Sequence, residues 1–145
     1  MYLILFFLNF ITKKMQVFNS HMFTIDYDKD TEIMKVIRHD LNSNEEYTES
    51  VYILAGQIEK YKPKKIIVNT KEFKFPIPPD IQEWSRDLLT RLVIRLGVKK
   101  VAYVMTEDFI ARLALEEILE NAKKMGLNLL YTPSKEEAEQ WISKD

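Results

Sequence analysis

Apolar residues recur along this chain with two different periods. Between Met22 and Tyr27 the period is two, with Phe23, Ile25 and Tyr27 on one side, as in a half-buried strand. Asp28-Lys29-Asp30-Thr31 is turn material, and Glu32 to Arg38 reads as the returning strand of a hairpin. Ser43 with Glu46 three residues later forms a capping box. Behind it Tyr47, Val51, Leu54, Ala55, Ile58 and Tyr61 recur at helical spacing until Pro63 stops the helix. Ile66-Ile67-Val68 is β-branched and comes after a proline turn, which suits a short strand buried on both faces.

The rest of the chain is arranged around the loop and helix after that strand. Pro76, Pro78 and Pro79 exclude regular structure, and Asp80 with Glu83 forms an Asp-x-x-Glu signal that starts a helix. Ile81, Trp84, Leu88, Leu89, Leu92 and Leu96 mark its apolar side, and Gly97 ends it. Trp84 and Leu88 are expected against the strand Lys65–Thr70. Val98 to Met105 is apolar on both faces of a further strand. Thr106 is read as the N-cap of the next helix, with Phe109, Ile110, Leu113, Ala114, Ile118 and Ala122 inward and Gly126 at its end. Leu127 to Tyr131 gives a last strand, and Ser134 with Glu137 caps a final helix carrying Ala138, Trp141 and Ile142.

The order β-β-α-β-α-β-α-β-α demands parallel pairing through right-handed crossovers. The expected fold is α/β, a single-domain βα superhelix with a mixed five-stranded sheet and helices mainly on one face. The domain is expected over 18–145, with 1–17 as an apolar N-terminal extension. A sheet with helices on one face leaves the other to be covered by a hairpin strand, a second subunit, or Met1–Ile11. That segment is too short to span a bilayer, which takes about 18 apolar residues or more. Its lysines come after the apolar run instead of preceding it, unlike a signal peptide. An upstream start codon, an extra packed element and a membrane foot all account for it. Ordered structure packed on the domain or on a second copy is the expectation.

Composition narrows the chemistry. The 145 residues are 46% hydrophobic and 30% charged, ordinary for one globular domain, and the formal charge of -1 gives no footprint for nucleic acid. The absence of cysteine excludes disulfides, thiolate catalysis and thiolate-ligated zinc. Three glycines leave no phosphate-cradling loop. His21 and His39 lack a second ligand at helical or turn spacing, and Glu107/Asp108 and Glu116/Glu117 diverge as neighbours in a helix. No nucleophile–base pair can be assembled. The expectation is a non-enzymatic, cytoplasmic protein with no metal, no cofactor and no membrane association.

Several marks together resemble a family. These are Tyr61-Lys62-Pro63-Lys64-Lys65 before the central strand, Asn69-Thr70 after it, Gln82-Glu83-Trp84, Val98-Lys99-Lys100-Val101-Ala102-Tyr103-Val104, and Glu136-Glu137-Ala138-Glu139-Gln140-Trp141. With the element order, they resemble the bacterial STAS-like domains, relatives of the anti-anti-sigma factors, whose fold is shared with CRAL–TRIO lipid-binding domains. The resemblance covers about Phe18 to Ile142. It implies a regulatory or binding module that recognises a protein partner, its own copy as a homodimer, or a small apolar or anionic ligand. A lipid or amphipathic-ligand carrier of the CRAL–TRIO type is the alternative. STAS regulators carry a phosphorylatable Ser or Thr at the start of the helix after the central strand. Here that place reads Pro78-Pro79-Asp80-Ile81, a fixed carboxylate with about one negative charge where a phosphoserine has nearly two. Asn69 likewise stands where the branch of the family usually has an acid.

In open α/β sheets ligands bind outside the carboxyl ends of the strands. The candidate ligand- or partner-binding residues there are Asn69, Thr70, Phe75, Asp80, Gln82 and Thr106. Phe73, Phe75 and Ile77 form either an apolar lid over a pocket or a cap on the core. Lys62, Lys64, Lys65, Lys99 and Lys100 precede parallel strands and gather at the opposite edge, as a headgroup patch or a solvated rim.

Overall fold

The computed structural model describes residues 14–145. Six strands form one sheet: β1 (Lys14–Asn19), β2 (Phe23–Asp28), β3 (Ile33–Arg38), β4 (Lys65–Asn69), β5 (Lys100–Val104) and β6 (Leu129–Thr132). They lie side by side in chain order, β1, β2 and β3 antiparallel and β3 to β6 parallel. Four helices, α1 (Asn44–Tyr61), α2 (Pro79–Arg95), α3 (Phe109–Lys124) and α4 (Lys135–Ser143), come after β3 to β6 in turn. The sheet therefore has six strands where five were expected. The additional strand, β1, begins before residue 18 and carries a bulge between Gln16 and Phe18. Its alternation is broken by that bulge, so its sequence has no clean period.

Strand order equal to chain order puts all three right-handed crossovers, and so α1, α2 and α3, on one face. There the rows Met34–Ile66–Val101–Leu129 and Val36–Val68–Tyr103–Tyr131 lie across the sheet beneath the helices. The opposite rows bring Ile67, Ala102 and Val104 together, and α4 covers them with Ala138 and Ile142. Over β1–β3 this second face is mostly polar, with Thr24, Asp26 and Lys35. Part of the cover expected for this face comes from α4, which hides Ile67, Ala102 and Val104. Met1–Ile11 lies outside the described residues.

The helix ends obey local chemistry. Ser43 Oγ accepts from Glu46 N at 3.1 Å, and Glu46 Oε2 accepts from Asn42 N at 2.9 Å. Ser134 Oγ accepts from Glu137 N at 3.1 Å, as its capping pattern predicts. Two assignments are corrected. α2 begins at Pro79 after Pro78, with no side-chain cap, so Asp80 is inside its first turn; proline at the first helical position loses no bond. α3 is capped by Asp108, whose carboxylate accepts from Ala111 N at 3.0 Å, and Thr106 lies two residues upstream.

Two apolar stripes are also corrected. α3 buries Ala111, Leu115, Leu119 and Ala122, leaving Phe109, Ile110 and Leu113 exposed at 60%, 58% and 46%. α2 buries Ser85, Thr90, Leu92 and Val93, while Trp84 and Leu88 are half-buried. The Trp84 ring meets Tyr52 of α1 edge-on at 5.2 Å. It packs between helices, not on the central strand.

Candidate functional site

The inner side of α2 is unusual for a packed helix because it presents hydroxyls. Ser85 and Thr90 face a cavity of about 60 Å³ between α1, α2, α3 and the sheet, and with its solvent-open mouth the empty space comes to about 720 Å³. The enclosed part has room for a few water molecules, each needing roughly 10–15 Å³ by this measure. Its walls are mostly aliphatic, among them Leu54, Val68, Leu89, Val93 and Leu119.

The polar end of the cavity lies at the carboxyl edge of the sheet, where Arg38 closes β3. Strand alternation explains its direction: Met34, Val36 and Arg38 share the inward side. Arg38 is 5% exposed, and its Nη2 donates to Ser50 Oγ at 2.7 Å. Tyr47 and Phe73 flank the guanidinium, with their ring centroids 5.3 and 5.4 Å from its central carbon. Nε has no hydrogen-bond partner, and no carboxylate pairs with Arg38 among the described residues. Burying a charge without a counter-ion is costly, and contacts with aromatic faces offset only part of that cost.

The hydroxyls around Arg38 supply no negative charge. Tyr103 lines the same cavity, and burial pushes its hydroxyl up to about 12. The ring is only half-buried by surface area, but what it faces is the cavity, so desolvation still dominates. It is neutral at ordinary pH. The Tyr47 hydroxyl lies 3.0 Å from Ser85 Oγ, which in turn donates to Gln82 O at 3.2 Å. Arg86, also on the cavity wall, is neutralised by Asp87 at 2.9 Å.

The six candidates from the sequence do not converge on one ligand. Thr70 and Thr106 stitch neighbouring strand ends: Thr70 Oγ1 donates to Val104 O at 2.7 Å and accepts from Thr106 N at 3.2 Å. Thr106 Oγ1 accepts from Asp108 N at 3.2 Å. Asn69 Oδ1 accepts from Lys71 N at 2.9 Å, closing a turn. Gln82 Nε2 donates to Ile77 O at 2.7 Å, fastening the proline loop to α2 instead of facing outward. Asp80 is exposed. Phe75 alone reaches the cavity's surroundings, its ring 6.0 Å from that of Tyr47. Phe73 is buried and Phe75 half-buried, so the loop both caps the core and roofs Arg38.

Lys65 and Lys100 have a definite role. Lys65 Nζ donates to Ile142 O and Lys144 O at 2.8 and 3.0 Å, and Lys100 Nζ to Trp141 O and Lys144 O at 2.9 and 2.7 Å. Both hold the carboxyl end of α4, where cations are favoured. Neither a headgroup patch nor a solvated rim describes these two.

Arg38, Tyr47, Ser85 and Tyr103 were not among the sequence candidates. The signal they offered was a charged residue in phase with a buried strand face, opposite a helix whose inner side carries Ser85 and Thr90. Among the described residues no cluster of His, Asp or Glu could hold a metal ion, and no helix is long and apolar enough to cross a membrane. No protein-family model and no curated protein matches this sequence.

Proposed function

We propose that this chain is a non-enzymatic, STAS-like binding module that takes up a small ligand between its three-helix layer and its sheet. The observation that carries this reading is the cavity beneath α2, polar at the Arg38 end and aliphatic along its length. Ligand sites are concave, largely apolar and given a few placed polar groups, and this one has that composition. The absence of a hydroxyl at Pro78-Pro79-Asp80 argues against a phosphorylation switch there. Ser85, the next hydroxyl in α2, is buried against Tyr47 and closed to a kinase. An enclosed volume of about 60 Å³ favours a small ligand over the long acyl chain of a lipid carrier.

Native mass spectrometry of the full chain, purified without detergent, tests the reading. Retention of a small molecule is the expected result. Retention of a long-chain lipid would replace this function with carriage, and a bare protein that binds none of a small-molecule panel would remove it.

A further inference from the structure

Arg38 has a charge to place and, among the described residues, no acid to place it against. A guanidinium has five N–H donors; among the described residues Nη2 donates to the Ser50 hydroxyl, and Nε is buried without an acceptor. A side chain fixed only for packing would reach an acid or the solvent. This one is 5% exposed, is held by Tyr47 and Phe73, and borders a largely apolar cavity that no acid lines among the described residues.

Resting on the ligand-binding reading above, we infer that Arg38 is the anchor for a small monocarboxylate whose apolar tail lies along the cavity between α2 and the sheet. The charge count decides the head group. Arg86 is already neutralised by Asp87, so a single uncompensated cation faces the space, matching one carboxylate better than a phosphate with nearly two charges. The planar fork of a guanidinium also pairs two-to-two with a carboxylate. The wall decides the tail: Leu54, Leu89, Val93 and Leu119 offer aliphatic side chains along its length, with Ser85, Arg86 and Thr90 the polar residues that α2 adds. The size limits the length: the roughly 60 Å³ core of the cavity takes the head group and first carbons, a short tail extends into its solvent-open part, and a membrane lipid is not enclosed. Phe73 lies against the guanidinium, 5.4 Å from its central carbon, and keeps water from that side, which strengthens the pairing.

The experiment compares hexanoate with 1-hexanol and inorganic phosphate on the full chain, by titration calorimetry and thermal melting at pH 7. Hexanoate is expected to bind saturably and raise the melting temperature. Hexanol is expected to bind about ten- to a hundredfold more weakly, the value of a charge-assisted hydrogen-bonded pair. Arg38→Met keeps the length and relieves the buried charge, so it is expected to melt no lower than the native chain and to lose the preference for hexanoate over hexanol. Arg38→Lys should retain part of that preference. Equal binding of hexanoate and hexanol would overturn the anchor while leaving a ligand-binding cavity. Tighter binding of phosphate, or full hexanoate affinity in Arg38→Met, would overturn it too. Binding by no member of the panel also overturns the inference, and the mass spectrum then decides separately whether a cavity ligand exists. Because the wild-type comparison needs no variant, a misfolded Arg38→Met leaves the test intact.

Discussion

The two faces of the sheet are built on opposite principles. Under α4 the contact is made by Ala102, Val104 and Ile67 against Ala138 and Ile142, all of them buried. Small residues on both partners let the helix settle close to the strands, and Lys65 and Lys100 finish its carboxyl end. On the other face α2 bridges α1 and α3 and presents Ser85 and Thr90 inward, so the space beneath it is not filled. The first face is given over to density. The second keeps a void and a cation that no acid among the described residues pairs, and both cost stability.

That contrast predicts different mutational tolerance. The largest effect should come from Ile142→Ala. Ile142 is the fully buried residue that α4 sets against the sheet, and truncating it should cost about 2–5 kcal/mol in denaturant melts. A cost below about 1 kcal/mol would mean that α4 is loosely attached.

Next in size is a matched pair of enlargements. Ala138→Leu forces a larger side chain into the dense contact and should cost roughly 1–3 kcal/mol. Thr90→Leu adds bulk on the cavity side and should stay within about 1 kcal/mol of the native chain, or exceed it in stability. Equal penalties at the two sites would erase the distinction between the faces.

Smaller still is Lys100→Met, which removes a cation from the last carbonyls of α4 and from the face of Trp141, 4.8 Å away. A loss of about 0.5–2 kcal/mol, read by urea melting, is expected for a partly buried helix-end cation.

The last effect shows only as pH rises above 10. Tyr103 has a folded pKa of about 12 against an ordinary value of 10.0, because burial disfavours its charged form. Between these values the unfolded chain loses a proton that the folded chain keeps, so the contribution is full below pH 10 and disappears as pH rises towards 12. Tyr103→Phe should therefore flatten the alkaline limb of the stability profile. An unchanged limb would place the ring in contact with bulk water.

Legibility in the sequence varied with how local the deciding physics is. Ser43 and Ser134 were readable as caps because the bonds they make span three residues. The proline loop hid the start of α2, since Pro78 caps by its backbone conformation and no side chain marks it. α3 was misread for a different reason. Phe109, Ile110 and Leu113 recur at helical spacing, but so do Ala111, Leu115, Leu119 and Ala122. Periodicity finds an apolar side only when there is one stripe to find. The candidate site suffered most, because Thr70 and Thr106 were chosen by strand position, and their hydroxyls turned out to satisfy backbone groups.

The alternation of strands and helices and the capped starts of α1 and α4 were readable from the residues alone, while the order of the strands across the sheet was not. The first two depend on neighbours within a few residues. Only the tertiary structure decided which stripe of α3 faces inward, that β1 joins the sheet, and that α4 crosses to the face the other helices leave bare. Packing also placed Arg38 in the interior with no counter-ion among the described residues. That outcome depends on which acids lie nearby in space, and Asp40 and Glu72 are engaged elsewhere, with Lys74 N and His39.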